Sequence, residues 1–524
     1  RAFDVITFIG VLEYADKFVK GEYPAREMLE RARRMLKPNG VVLIAIENQL
    51  GLKYLAGAPE DHVGRRMFGV EDRYSVGGVR TYGRLELNDL LKRSGFSATR
   101  FYAPFPDYKF PVTIFSEEGM CSSELDAAAI LRSSIFSDRQ LTNFLSFDLP
   151  RAWNVVARNG IGMDLANSFL VVASNVETEN GDCLAWHYST GRAPQFCKEL
   201  TFNKRGDGSI RTSSRAVHDA GANPISGQLS MELPQEVPYV RGSQLCSELA
   251  SLLTTDGWSI EDVSSFLRRF LGIAESIVRA EGLDISLSSG DAELPGKYVD
   301  LIPQNIIKTD SGEFFLIDRE WTYHAPVSVR WLVFRALCGF FAATPTLGSS
   351  RSDFKRDRLG FVAAVFNALG FASADEKIME LASEEARLQS LVTGLEIHSD
   401  SWGPGVPVSN SVEDRVVPVH NFEEVVQGYV IERQIWRHFQ PGGEPSSITE
   451  AQLPSFLVEL NAENVRLKSE VGSLCAERER CNSTINELQG TVTELQGTIA
   501  KLVRSLSWRV TSPLRRVSAL LRGR

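Results

Sequence analysis

The chain has 524 residues, 43% hydrophobic and 23% charged, which suits two or three soluble globular domains. A net charge of −9 argues against nucleic acid as a main partner, because phosphate binding needs a basic surface. The cysteines Cys121, Cys183, Cys197, Cys246, Cys338, Cys475 and Cys481 stand singly, so neither a C-x-x-C zinc site nor a disulfide framework is signalled, and free thiols suit the cytoplasm. No apolar run approaches the ~18 residues of a membrane span, and no signal peptide is visible.

The chain begins at Arg1 inside the strand-like run RAFDVITFIGVLEY, which reads as a domain entered part-way. Val5 to Ile9 is continuously apolar and predicts a strand buried on both faces. Pro24 suits the first turn of a helix whose apolar face is Ala25, Met28, Leu29, Ala32, Met35 and Leu36. Lys37-Pro38-Asn39-Gly40 predicts a helix stop and a turn, and Val41 to Ile46 a second buried strand. From about 165 to 240 the chain is strand-like with polar turns such as RGDGS, and from about 243 to 400 mostly helical. Ser259-Ile260-Glu261-Asp262 is a capping-box pattern opening a helix to about Glu281, and Trp331 to Phe341 predicts a buried helix.

FDVITFIGVLEY followed by RRMLKPNGVVLIAIEN resembles the fourth and fifth strands of class I S-adenosylmethionine (SAM) methyltransferases. LLKRSGFSATRFYAPFPDYKFPVTIFSEE resembles their last helix and closing antiparallel hairpin, and ENQLGLKYLAGAPEDH resembles such domains joined to bacterial surface-polysaccharide enzymes. The resemblance implies that Gly10, Val11, Leu12 and Glu13 line the methionine side of SAM. Glu47, Asn48, Glu60, Asp61 and His62 would face the methyl acceptor. Glu13 read alone is also a plain acid at a helix N-terminus, and His62 a solvated loop residue. The glycine loop and ribose-binding acid of the family belong to its first two strands and are expected to be missing; NGIGMD at 159–164 is no substitute, since it neither follows a buried strand nor opens a long helix.

The sharpest local motif is KYVDLIPQNIIKTDSGEFFLIDREW. Asp300 and Asn305 have the D-x-x-x-x-N spacing of kinase catalytic loops, and Asp318 ends an apolar strand. The region resembles the aminoglycoside/choline-kinase branch, with Tyr298-Val299 where that branch has His-Gly and Asp-Arg-Glu replacing Asp-Phe-Gly. By that resemblance Asp300 orients the acceptor hydroxyl, and Asn305 and Asp318 are the Mg²⁺ ligands beside ATP. Lys198 in FCKEL or Arg215 in TSSRAV would meet the phosphates, and no glycine-rich loop or V-A-I-K is present. Without the resemblance, the same residues cap a turn and end a strand.

Leu457, Asn464, Val471, Arg478, Ile485, Val492, Ile499 and Leu506 recur every seven residues, with Leu460, Leu467, Leu474, Cys481, Leu488, Leu495 and Leu502 offset by three. These are coiled-coil a and d positions that favour a parallel dimer; Arg478 and Cys481 weaken one layer and leave a trimer open. The tail SLSWRVTSPLRRVSALLRGR carries five arginines, six with Arg504 just before it, and no acid, a pattern that suits an anionic membrane surface or a solvated tail.

The expected fold class is multidomain: an α/β Rossmann-like methyltransferase half-domain over 1–118, a connecting segment over 119–164, and an α+β kinase-like domain. The latter divides into an N-lobe over 165–240 and a C-lobe over 241–400. A linker over 401–455, a coiled coil over 456–507 and a basic amphipathic tail over 508–524 complete the chain. The order resembles bifunctional enzymes that cap bacterial O-antigen chains, implying SAM, ATP and Mg²⁺ as cofactors and a glycan or lipid-linked polysaccharide as substrate. It further implies a homo-oligomer, a glycosyltransferase partner and a cytoplasmic place on the inner membrane. Two rival readings are a methyltransferase whose kinase-like domain only binds, and a coiled-coil scaffold recruiting glycosyltransferases.

Overall fold

A nine-stranded mixed sheet organises the first half of the chain. The computed structural model describes residues 2–399, apart from 136–137, 139–140, 142–145, 148, 178–180, 219–224, 344–346, 356 and 372–373. The expected linker over 401–455, coiled coil and basic tail lie outside the described residues.

The sheet starts with the expected βαβ unit. Strands β1 (Phe3–Ile9) and β2 (Leu36–Glu47) are parallel, joined through helix α1 (Pro24–Met35). Ala25, Leu29 and Ala32 of α1 are buried, as their spacing predicts. Two details differ from expectation. Strand β1 is the edge of the sheet and is not covered on both faces: Phe3, Val5 and Ile9 are each about half exposed. The Lys37–Gly40 segment also makes no turn ahead of the strand. It lies within β2 as a bulge, because Phe3 pairs with Leu36 while Val5 already pairs with Val41.

Helix α2 (Arg84–Arg93) leads into β3 (Ala98–Phe105) and β4 (Thr113–Ser116), which form the expected antiparallel hairpin. The strand that closes this sheet against β2 comes from further along. Strand β5 (Ser168–Ser174), assigned by pattern to the second domain, runs antiparallel between β2 and β3. The boundary placed at 118 is therefore too early. The segment over 119–164 is likewise more than a connection: helices α3 (Ala127–Ile135) and α4 (Leu149–Arg158) bury Leu131, Ile135, Trp153 and Val156 with the sheet residues Phe105 and Phe169. The Phe105 and Trp153 rings meet edge to face at 5.1 Å. A sheet face needs an apolar layer over it, and this segment supplies it.

The sheet then continues without a break. β6 (Cys183–Ser189) pairs with β4, followed in order by β7 (Lys198–Lys204), β8 (Ile210–Ala216) and β9 (Val237–Pro238). The RGDGS turn joins β7 to β8, with Gly208 at φ +85°, a conformation that glycine adopts without a Cβ penalty.

The remaining described part is mainly helical. It contains α5 (Cys246–Leu253), α6 (Ile260–Ala280), the hairpin β10 (Ile306–Lys308) and β11 (Phe314–Leu316), β12 (Trp321–Tyr323), α7 (Val329–Ala343), α8 (Arg358–Leu369) and α9 (Asp375–Thr393). The capping box of α6 forms as expected: the Ser259 hydroxyl accepts from the Asp262 N–H, and the Ser259 N–H donates to the Asp262 carboxylate. Trp331, Leu332, Val333, Phe334 and Leu337 of α7 are fully buried in the second core. The architecture is mixed α/β, with one core under the first strands of the sheet and another among the helices. No helix among the described residues is long and apolar enough to cross a membrane.

Candidate functional site

Two clusters of ionisable side chains stand out. The first lines a cavity of about 1100 Å³ between the β6–β8 part of the sheet and the helical part. Lys198 at the start of β7 reaches across it, with Nζ 2.8 Å from the Asp318 carboxylate and also bonded to Glu320. Lys198, Asn305, Asp318 and Glu320 all line the cavity. Asp318 takes φ +54°, a left-handed conformation costing about 1 kcal/mol for most residues but tolerated best by Asp and Asn. Burial opposes ionisation of Asp318, yet the Lys198 ammonium beside it outweighs that and holds its carboxyl below the usual range.

Lys198 and Arg215 stand in different places. Arg215 points outward and forms a bidentate pair with Glu199, at 2.6 and 3.0 Å, while Lys198 is the cation beside Asp318. Glu320 escaped the sequence reading. It is buried, accepts from Lys198, and accepts from Arg192 at 2.6 Å. The only signal for it was the acid two places after Asp318.

Asp300 sits deeper. Its carboxylate is 2.5 Å from Arg335 Nη2, and Arg335 Nη1 donates to Glu385 at 2.9 Å. Trp331 Nε1 and Gln389 Nε2 also donate to Glu385. Burial pushes the Asp300 carboxyl up, opposed by Arg335. The loop is pinned from within, since Asn305 Nδ2 donates to the Asp300 carbonyl at 3.0 Å. Ahead of the loop, a Cβ on Gly296 would lie 1.5 Å from the Tyr323 carbonyl oxygen. Gly296→Ala is therefore expected to cost about 2–3 kcal/mol through forced overpacking, read as a lower thermal midpoint than the parent chain.

His187 on β6 also lines the cavity, with Nδ1 2.8 Å from the Thr113 hydroxyl on β4. Burial, helped by the Lys198 charge, holds its pKa down to about 4, against 6.5 ordinarily. The unfolded chain thus takes up a proton that the folded chain refuses. The stability contributed is complete above pH 6.5 and is lost as pH falls from 6.5 to 4, by at most ~3 kcal/mol. His187→Gln is expected to flatten this part of the stability–pH curve, as measured by urea midpoints across the window.

The second cluster lies at the carboxyl ends of β1 and β2, where ligands of open α/β sheets sit. Gly10 follows β1 at φ +62°, and a Cβ there would come within 2.8 Å of the Tyr108 hydroxyl. Val11 is exposed, while Leu12 is fully buried. Glu13 is 1% exposed in a short turn, with neither carboxylate oxygen hydrogen-bonded, so it is not a solvated helix-end acid. Burial pushes its pKa up to about 7. Glu47, fully buried, accepts from Lys109 at 2.5 Å and Tyr108 at 3.2 Å, and lies 3.3 Å from His62 Nε2. Burial opposes its charge, but His62 and Lys109 bring its pKa down to about 2. His62 is not a solvated loop residue either: its Nδ1 is 3.1 Å from the Tyr14 hydroxyl.

The other expected acceptor-facing residues mostly hold the loop together. Asn48 donates to the carbonyls of Asp164 and Ala166 at 2.7 Å each, which ties β2 to the chain entering β5. Glu60 accepts from the His62 and Val63 N–H groups, closing its own turn. Asp61 is bonded by Tyr54 and lies 3.3 Å from Lys53 and 3.1 Å from Lys109. Tyr14, Tyr108 and Lys109 were missed, because nothing in their own spacing reports a cluster gathered from four loops.

Compared with models of known protein families and with curated proteins, the chain matches none.

Proposed function

We propose that the chain is a transferase of bacterial surface-polysaccharide (O-antigen type) synthesis, joining a SAM-dependent methyl-transfer domain to a kinase-like domain. What carries the reading is the Lys198–Asp318 ion pair at 2.8 Å, lining one large cavity together with Asn305. The residues suit Mg²⁺·ATP: Asp318 and Asn305 offer the hard oxygens Mg²⁺ prefers, and Asn305 commits only its NH₂ end to the Asp300 carbonyl. Mg²⁺ would supply charge neutralisation on the phosphates when bound. Lys198 binds the phosphates by giving up its contact with Asp318, while Glu320 keeps Lys198 and Arg192 oriented. Asp300 orients the acceptor hydroxyl.

In the first domain, Gly10 to Glu13 would line the methionine side of SAM, and a Cβ on Gly10 would come within 2.8 Å of the Tyr108 hydroxyl. SAM supplies an already activated methyl group, so the chain's task is alignment of an acceptor oxygen near Glu47 and His62. The rod and basic tail would join copies of the chain and hold these domains at the inner membrane, close to a glycosyltransferase.

A second reading is favoured by one observation: Asp300 is already paired with Arg335 at 2.5 Å, which suits a kinase-like domain that binds nucleotide without transferring phosphate. Because the SAM glycine loop is expected to be missing, the full chain is tested through its kinase-like part, with γ-labelled ATP and extracted O-antigen glycan. Label entering glycan is the expected result. Nucleotide bound without label transfer favours the second reading, and the absence of both binding and transfer contradicts the proposal.

A further inference from the structure

The structure assigns a divalent transition-metal site, of the Zn²⁺ or Mn²⁺ class, to Glu13, Glu47 and His62. The inference stands on the cluster itself and holds whether or not either transfer reaction does. One carboxylate oxygen each from Glu13 and Glu47 and one imidazole nitrogen of His62 lie within 4.8 Å of one another. At metal–ligand distances of about 2.0–2.1 Å, neighbouring ligands of a tetrahedral ion lie about 3.3 Å apart. Glu47 Oε2 and His62 Nε2 already stand at 3.3 Å. Only Glu13 must close in, and no hydrogen bond opposes it: both its oxygens lack partners, though it is 1% exposed. A buried carboxylate costs several kcal/mol unless a cation or donor meets it.

The surrounding shell is that of a metal site. The second ring nitrogen of a metal-bound histidine normally donates to an oxygen, which fixes the tautomer. His62 Nδ1 faces the Tyr14 hydroxyl at 3.1 Å, an oxygen that can accept the Nδ1 proton when an ion displaces the Nε2 contact with Glu47. Glu47 is in turn steadied on its other oxygen by Lys109 and Tyr108, which leaves Oε2 for the ion. Two carboxylates and one imidazole suit Zn²⁺ or Mn²⁺ better than Mg²⁺ or Ca²⁺, which prefer oxygen alone.

The test uses the full chain with Zn²⁺ alone, in the Asp318→Asn background so that the cavity near Lys198 does not compete. Equilibrium dialysis should give one tightly held Zn²⁺ per chain, weakened roughly 100-fold by Glu13→Gln or His62→Gln. X-ray absorption of the Zn²⁺-loaded Asp318→Asn chain should show one imidazole with oxygen ligands and no sulfur, a result that does not depend on either of those further variants folding. No Zn²⁺ uptake, uptake unchanged in both variants, or a sulfur-containing ligand set overturns the assignment.

Discussion

Asp318→Asn is expected to lower phosphoryl transfer from Mg²⁺·ATP by at least ~10³-fold while leaving the fold intact. The substitution is chosen for its backbone. Asp318 sits at φ +54°, where Asn is tolerated nearly as well as Asp, whereas Ala would add strain and confuse the outcome. What changes is charge. Lys198 loses the anion at 2.8 Å and retains Glu320, so the ammonium shifts toward the buried acid and away from the cavity. The oxygen set for Mg²⁺ falls from a carboxylate plus an amide to two amides, too little charge to draw the ion from water. A transfer assay beside a thermal melt checks this. The rate should collapse with the melting midpoint within a few degrees of the parent.

Arg335→Met should destabilise the helical part by about 3–5 kcal/mol, roughly 6–12 °C or more in its melting midpoint. Arg335 is 6% exposed and its guanidinium joins two carboxylates, Asp300 at 2.5 Å and Glu385 at 2.9 Å. Met fills a similar volume but leaves both acids without their cation. Glu385 keeps Trp331 and Gln389 as donors, so the larger penalty falls on Asp300. A buried acid escapes that penalty by taking a proton. The deficit of the variant should therefore shrink as pH falls toward 4 and be largest at neutral pH. Denaturation of parent and variant at pH 4.5 and pH 7.5 gives the comparison. Equal deficits at the two values would mean that packing, not charge, is lost.

Local signals were the legible part of this molecule. The Ser259 capping box, the apolar stripe of Ala25, Leu29 and Ala32, and the run Trp331–Leu337 each report a neighbour within one or two helical turns. Partnerships across long stretches were not legible. Val171 and Ala173 mark β5 as a strand, but nothing in their pattern says it returns past two helices to lie beside β2. The edge position of β1 was hidden for the same reason, since a continuous apolar run fits an edge or a central strand alike. The spacing of Asp300, Asn305 and Asp318 pointed to a loop of which Asn305 and Asp318, but not Asp300, line the cavity. It did not single out Glu320 or Arg335, whose roles come from pairing with Lys198 and with Asp300 across the fold. Near β1 and β2, Glu13, Glu47 and His62 were picked separately from strand ends and a loop. Their convergence, with Lys109 and Tyr108 behind Glu47, needed the folded chain.

Calorimetric titration of the full chain with ATP, with and without Mg²⁺, bears most directly on the kinase-like reading. One nucleotide per chain is expected, bound only weakly without Mg²⁺, with the Mg²⁺-dependent gain abolished by Asp318→Asn. An absence of binding, or binding that neither Mg²⁺ nor Asp318→Asn alters, would contradict it.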